Sequence, residues 1–258
     1  MTINKMKPLP EYAGNEPAII EPSKTKKKGM HIPAYAVLCF FGDVLKEMEN
    51  QVDVQIVHYL ESEMGRHPIY AVGEGRKRVA LFHPGIGSAM AAAGMEQIIA
   101  LGAKCIVACG ATGVLNKDLQ PGSVIIPTGA IRDEGTSYHY QPRSRTNRPH
   151  REAVRAIKKA CRDHDIPFVT GLTWTTDAVF RETPRKISTR INEGCLSVEM
   201  EAAAFFAVAR FRKIKFAQIL CAGDDVSGKK WNRRRWAERL TARQKLLMLA
   251  IDAVRLIS

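Results

Sequence analysis

Apolar residues fall in two rhythms along the chain. "AYAVLCFF" (34–41) and "VALFHP" (79–84) are near-continuous apolar runs of strand length, ended by Gly42 and by Pro84 with the Gly85–Gly87 turn. "SAMAAAGMEQIIAL" (88–101) is made of strong helix formers and closes at Gly102, a C-cap signal. "KCIVACG" (104–110) returns as a buried strand, so 79–110 predicts a strand–helix–strand unit with parallel strands and a right-handed crossover. Further strands are predicted at 123–131, 167–175 and 216–223, with helices at 150–164 and 199–211. A final helix, 236–256, sets Trp236, Leu240, Leu247, Ile251 and Val254 on one face. Residues 1 to about 32, rich in Pro and Lys with little periodicity, predict an extended basic arm, and 33–258 carries no repeat or linker and predicts one domain. Strands alternating with helices predict an α/β fold. In such folds ligands gather outside the carboxyl ends of strands, which directs attention to loops 42–46, 84–88, 110–114, 176–185 and 223–228.

Composition narrows this only a little. A chain of 258 residues with 45% hydrophobic and 25% charged residues is ordinary for a globular protein. No apolar run approaches the roughly 20 residues of a membrane span, so we expect no membrane partner. The first residues lack the apolar core of a secretory signal, and the six cysteines lie in apolar stretches without a C-x-x-C pair. A reducing cytoplasm is the expected setting. The net charge of +13 is concentrated in "KTKKKG" (24–29) and "KKWNRRRW" (229–236). The second cluster interleaves arginine with tryptophan like a nucleic-acid patch, but no nucleic-acid-binding signature accompanies it. We read it as a solvated loop entering a helix and expect no nucleic-acid partner.

Two segments carry chemistry. "ACGATGVL" (108–115) turns on Gly110 and Gly113, lacks the spacing of a dinucleotide fingerprint, and has no Gly-Lys-Ser/Thr of a P-loop. "CLSVEMEAAAFF" (195–206) sets Glu199 and Glu201 in apolar surroundings, where an unpartnered carboxylate costs several kcal/mol. On a helix the two would lie about 200° apart, whereas on an extended segment they share a face. A strand running from Cys195 to about Glu201 would bring both to the loops named above. A helix N-terminus that favours acids would explain one of them.

"SVEMEAAA", preceded by "GIGSAMAAAGMEQIIALGAKCIVACGATGVL" and followed by "CAGDD", resembles the nucleoside phosphorylase family of purine nucleoside and uridine phosphorylases. The resemblance covers residue 34 to the C-terminus. It implies a three-layer α/β/α domain around a mixed sheet, assembled as a homo-oligomer, a dimer or a trimer of dimers. The implied reaction is cleavage of a ribosidic bond by inorganic phosphate, a co-substrate, with no cofactor and no metal. Its products are free base and ribose 1-phosphate. Glu201 would accept hydrogen bonds from the ribose 2′ and 3′ hydroxyls, with Met200 against the sugar and Glu199 in support. Asp224 would protonate the departing base, the neighbouring Asp225 being a turn residue or exchanging roles with it. Thr112 and Gly113 would border the base. "TTDAVFRETPRK" (175–186) matches the base-binding loop, with Val179 or Phe180 packing on the base. Arg185 stands where uridine-cleaving members bind pyrimidine carbonyls, but Thr183 replaces the glutamine that accompanies it. Purine and pyrimidine signals therefore coexist.

The phosphate site departs most from the family pattern. "GDVLK" keeps Gly42 and Asp43, replaces proline by Val44, and offers Lys46 near an arginine position. Ala108 and Ala111 stand where phosphorolytic members carry arginine and Ser or Thr. Gly42, Lys46, Arg66 (reaching a neighbouring subunit) and Gly110 are the phosphate-binding candidates. A water-using branch of the family places a glutamate in the first loop, where only Glu47 and Glu49 stand. Hydrolysis of a nucleoside or nucleotide, or nucleoside binding without catalysis, are the alternatives to phosphorolysis.

Overall fold

A computed structural model describes residues 12–25, 29–63, 65–228, 230–235 and 240–258. The strands are β1 (Tyr35–Cys39), β2 (Val54–Ser62), β3 (Gly65–Val72), β4 (Val79–Phe82), β5 (Cys105–Val114), β6 (Val124–Asp133), β7 (Thr146–Asn147), β8 (Phe168–Thr176), β9 (Cys195–Glu199) and β10 (Lys215–Asp225). The helices are α1 (Pro22–Thr25), α2 (Gly42–Met48), α3 (Ser88–Leu101), α4 (Ser137–Tyr140), α5 (Arg151–Asp163), α6 (Pro184–Asn192), α7 (Ala202–Arg212) and α8 (Leu240–Arg255).

All ten strands join one mixed sheet in the order β2-β3-β4-β1-β5-β9-β8-β6-β10, with β7 on β6 and β10 pairing back onto β5. Strand β5 makes this closure possible. Its first half lies between β1 and β10, both parallel to it, and its last residues, Gly113 and Val114, pair antiparallel with β9. The length of β5 thus joins an open sheet to a closed ring of five strands.

Helices cover both faces, which is why the strands read as unbroken apolar runs. On β1, Val37 and Cys39 face one core with α5 and α8, while Ala36 and Leu38 face the other with α3 and α7. The expected three-layer α/β/α architecture is the observed one. The predicted strand–helix–strand unit is β4, α3 and β5, with β1 inserted between the two strands and parallel to both.

Several elements were not predicted, the short α1, α4 and β7 among them, and the expected loop 110–114 is instead the end of β5. The hairpin β2–β3 has a half-exposed β2 and carries Pro68 in β3, features that obscure alternation. Helix α2 takes up the expected loop 42–46, burying Val44, Leu45 and Met48. Helix α6 begins at Pro184 with Thr183 as its N-cap, inside the expected loop 176–185. The described part of the arm lies against the domain: Glu21 pairs with Arg212 at 3.1 Å, and the Ile32 N–H bonds to Leu101 O at 3.0 Å. Lys26–Lys28, Lys229 and Trp236 of the two basic clusters and final helix lie outside the described residues.

Candidate active site

The carboxyl ends of β1, β5, β9 and β10 border a cleft of about 330 Å³. Phe40 and Phe41, Ile86, Ala111–Gly113, Val198–Glu201, Gln218, Asp224 and Arg243 line it. Larger clefts, of about 500 and 540 Å³, lie beside β2 and beside the start of α5, away from these strand ends.

The corner between β9 and α7 forms one wall. Strand β9 ends at Glu199 and α7 starts at Ala202, three residues after the predicted helix start. The Glu199 side chain accounts for the delay. Its Oε2 accepts the N–H groups of Glu201 and Ala202 at 2.8 and 2.6 Å, and its Oε1 accepts the Thr175 hydroxyl at 2.6 Å. The Thr175 oxygen in turn accepts the Ala203 N–H at 3.0 Å. The first amides of α7, which have no partner within the helix, are thus satisfied from outside it. Glu199 is a buried helix cap, held by three hydrogen bonds and by the positive end of the helix.

Glu201 is built differently. It is also buried, but among the described residues its carboxylate is bonded by backbone amides only, chiefly by the Gly87 N–H to Oε1 at 2.6 Å with the Met200 amide beside it. The neighbouring Ser88 hydroxyl bonds to Met200 O at 2.6 Å, so the start of α3 holds the residue 200–201 corner at two points. Gly85 and Gly87 have φ of +85° and +86°, which a side chain would strain, and this backbone turn aims the Gly87 amide. Burial pushes both carboxyls above the usual carboxylate range, and for Glu201 the charge of Glu199 adds to it. Glu201 therefore offers an under-bonded carboxylate to whatever enters.

The opposite wall comes from β5 and β10. The Thr112 hydroxyl bonds to Val198 O at 2.6 Å, and Gly113 packs so closely that a Cβ would stand 3.0 Å from Val198. Asp224 is half-buried and accepts the Trp231 indole N–H at 2.5 Å. Asp225 turns away: it accepts from the Ser227 N–H and hydroxyl and pairs with Arg234 at 2.5 Å. Asp225 is thus the turn residue, and Asp224 faces the cleft. The described part of the basic "KKWNRRRW" segment folds across these aspartates instead of running freely in solvent.

Other candidates from the sequence lie apart. Gly42 opens α2, Lys46 is exposed on that helix, and neither lines the cleft. A Cβ at Gly110 would meet the Phe40 ring at 3.0 Å, so this glycine lets β1 and β5 approach each other. Arg66 lies on β3, 3.2 Å from Glu61 and over the Tyr59 ring. Val179 and Phe180 sit on an exposed turn, Phe180 being 96% exposed, and Arg185 is exposed in the first turn of α6. Glu47 accepts from Gln244 at 2.9 Å and Glu49 accepts the Tyr70 hydroxyl; neither lines the cleft.

Three residues at or beside the cleft escaped the sequence reading. Arg243, from α8, lines it and grips Asp43 with one N–H from each Nη, both at 2.5 Å. Its signal was available, because position 243 lies three residues after Leu240 and four before Leu247, on the apolar stripe of the final helix. Gln218 is fully buried opposite Ala108 on β5, and its Oε1 has no hydrogen-bond partner. Glu182 is pushed up to about 7 by burial, with a further push from the nearby charge of Asp224. No described cluster of His, Cys, Asp and Glu is arranged to hold a metal ion.

The sequence pattern of the phosphorylase superfamily matches residues 34–251. The chain belongs to this superfamily. A guanosine phosphorylase of Halorubrum lacusprofundi is 31% identical over 140 residues, covering 54% of this chain and 58% of that protein. A uridine phosphorylase of Treponema pallidum is 29% identical over 192 residues, covering 69% and 73%. Among solved structures, the AMP nucleosidase of Bacteroides thetaiotaomicron superimposes with a TM-score of 0.70 at 27% identity, covering 86% and 87%. This chain is thus similar to proteins named for purine and pyrimidine nucleosides and, in fold, to one named for a nucleotide. No described helix is long and apolar enough to cross a membrane.

Proposed function

We propose that this phosphorylase-superfamily protein is a nucleoside phosphorylase. In this reading phosphate attacks the anomeric carbon of a ribonucleoside, the bond to the base breaks, and free base and ribose 1-phosphate leave. The carrying observation is the contrast within the residue 199–201 corner: Glu199 is consumed in building α7, while Glu201 is buried at the cleft with backbone amides as its partners and no side-chain donor among the described residues. A carboxylate so placed suits a pair of ribose hydroxyls, which donate to it as charge-assisted bonds. Met200 borders the same space and suits the sugar face. Asp224, with Glu182 close enough to feel its charge, supplies acid at the base end. The transition state has oxocarbenium character, so gripping the ribose and easing the base away do most of the work.

Hydrolysis is the second reading. Ala111 lines the cleft without a hydroxyl to offer, Ala108 is buried in the core, and Lys46 and Arg66 lie outside the cleft of their own chain. Inosine, guanosine, adenosine, uridine and AMP, each assayed with and without phosphate, separate the two. Base release that requires phosphate supports phosphorolysis, and release that ignores it replaces that reading with hydrolysis. Purine cleavage that collapses about 100-fold in Asp224→Asn, with uridine inert, assigns the base end to Asp224 rather than Arg185.

A further inference from the structure

An oxyanion entering this cleft meets carboxylates at Glu199, Glu201 and Asp224, and one cation among the described lining residues, Arg243. The side chain of Arg243 is only 15% exposed and its guanidinium lies 4.9 Å from the centre of the Phe41 ring. Asp43, at the start of α2, takes one N–H from each Nη and so occupies the end of the guanidinium fork. The Nε–H is buried and has no partner. A buried, charged donor left unbonded is costly, and costlier than a neutral one. A carboxylate on the end of the fork leaves the side edge, Nε–H with the adjacent Nη–H, as the pair that an oxyanion can take bidentately.

We propose that Arg243 is the residue that holds the attacking phosphate, in place of an arginine on β5, and that Asp43 is its positioning partner. The proposal rests on the phosphorolytic reading of the cleft. The geometry is complementary at both ends. Position 108, where an arginine would rise from β5, is a buried alanine, and the positive charge instead comes from α8. The Asp43 pair fixes the guanidinium plane against rotation, so the free edge keeps one direction. A lysine at 243 would keep the charge but lose both the plane and the Nε donor.

The test measures phosphate binding by calorimetry on the full chain, together with separate KM values for phosphate and nucleoside. Arg243→Gln is expected to weaken phosphate binding and raise the phosphate KM at least tenfold, with the nucleoside KM changed less than threefold. Arg243→Lys should fall between it and the parent, and it decides the matter if the glutamine variant does not fold. Asp43→Asn should raise the phosphate KM several-fold with the fold intact by circular dichroism. Unchanged phosphate affinity and KM in both Arg243 variants overturns the proposal while leaving phosphorolysis standing. Parent turnover that ignores phosphate overturns phosphorolysis instead. If the parent then still binds phosphate and Arg243→Gln does not, Arg243 stands as an anion site. If the parent binds none, the proposal falls too.

Discussion

The corner at residues 199–201 and the stretch of β5 that ends at Ala111 meet at the same cleft, yet they are built to different degrees. The first is densely hydrogen-bonded: three bonds to Glu199, one to Glu201 and one to Met200 O, drawn from β8, the start of α7 and residues 87 and 88 at the start of α3. The second carries two alanines and a glycine whose closest neighbour is Phe40, and the polar groups near it arrive from β10 and α8. In the proposed reading, the ribose end is held by a hydrogen-bonded corner while the anion end depends on a cation delivered by α8. The first is rigid because helix-end amides demand partners.

The largest expected effect breaks the corner at its less bonded acid, Glu201. Glu201→Ala should lower kcat/KM for the nucleoside by about 100-fold or more, since charged hydrogen bonds to substrate are each worth about 1.5–3 kcal/mol. Circular dichroism and the melting temperature should stay near the parent's. Unchanged turnover would remove Glu201 from the ribose. The next effect falls on stability. Glu199→Ala strands the amides of Glu201 and Ala202, and losing such a cap costs about 1–2 kcal/mol, read by denaturant unfolding. If activity fell with no loss of stability, Glu199 would be a substrate contact and the contrast with Glu201 would vanish.

The smallest effect is a slope. Glu182, raised to about 7, holds its proton more tightly in the folded chain than in the unfolded one. Its contribution to stability is therefore present at low pH and lost as pH rises through about 7. Glu199 and Glu201, also raised by burial, act in the same direction. Glu182→Gln should flatten the fall in melting temperature between about pH 5 and about pH 8, and an unchanged slope would separate Glu182 from that burial.

The cleft's ingredients were partly legible in the sequence. Glu199 and Glu201 stood out because two acids in an apolar run demand an account, and Asp224 because it ends a strand. Their division of labour was hidden, since one carboxylate's bonds come from Thr175 and the other's from Gly87. Arg243 left a trace, a cation on an apolar helical stripe, that a reading centred on strand-end loops passes over. Lys46 looked suitable by position, but the turn of α2 that buries Val44, Leu45 and Met48 leaves it outside.

Sequence by itself determined the α/β alternation, because strands buried on both faces must be apolar throughout and α3 must end at a glycine. It also determined that acids would lie among apolar neighbours near residue 200. Only the tertiary structure decided which acid caps α7 and which remains under-bonded, where the cleft finds its cation, and how Trp231 comes to rest on Asp224. Alternation and capping are local consequences of backbone hydrogen bonding. The partners of a side chain at the sheet's end are set by elements up to 200 residues away, as Asp43 and Arg243 are.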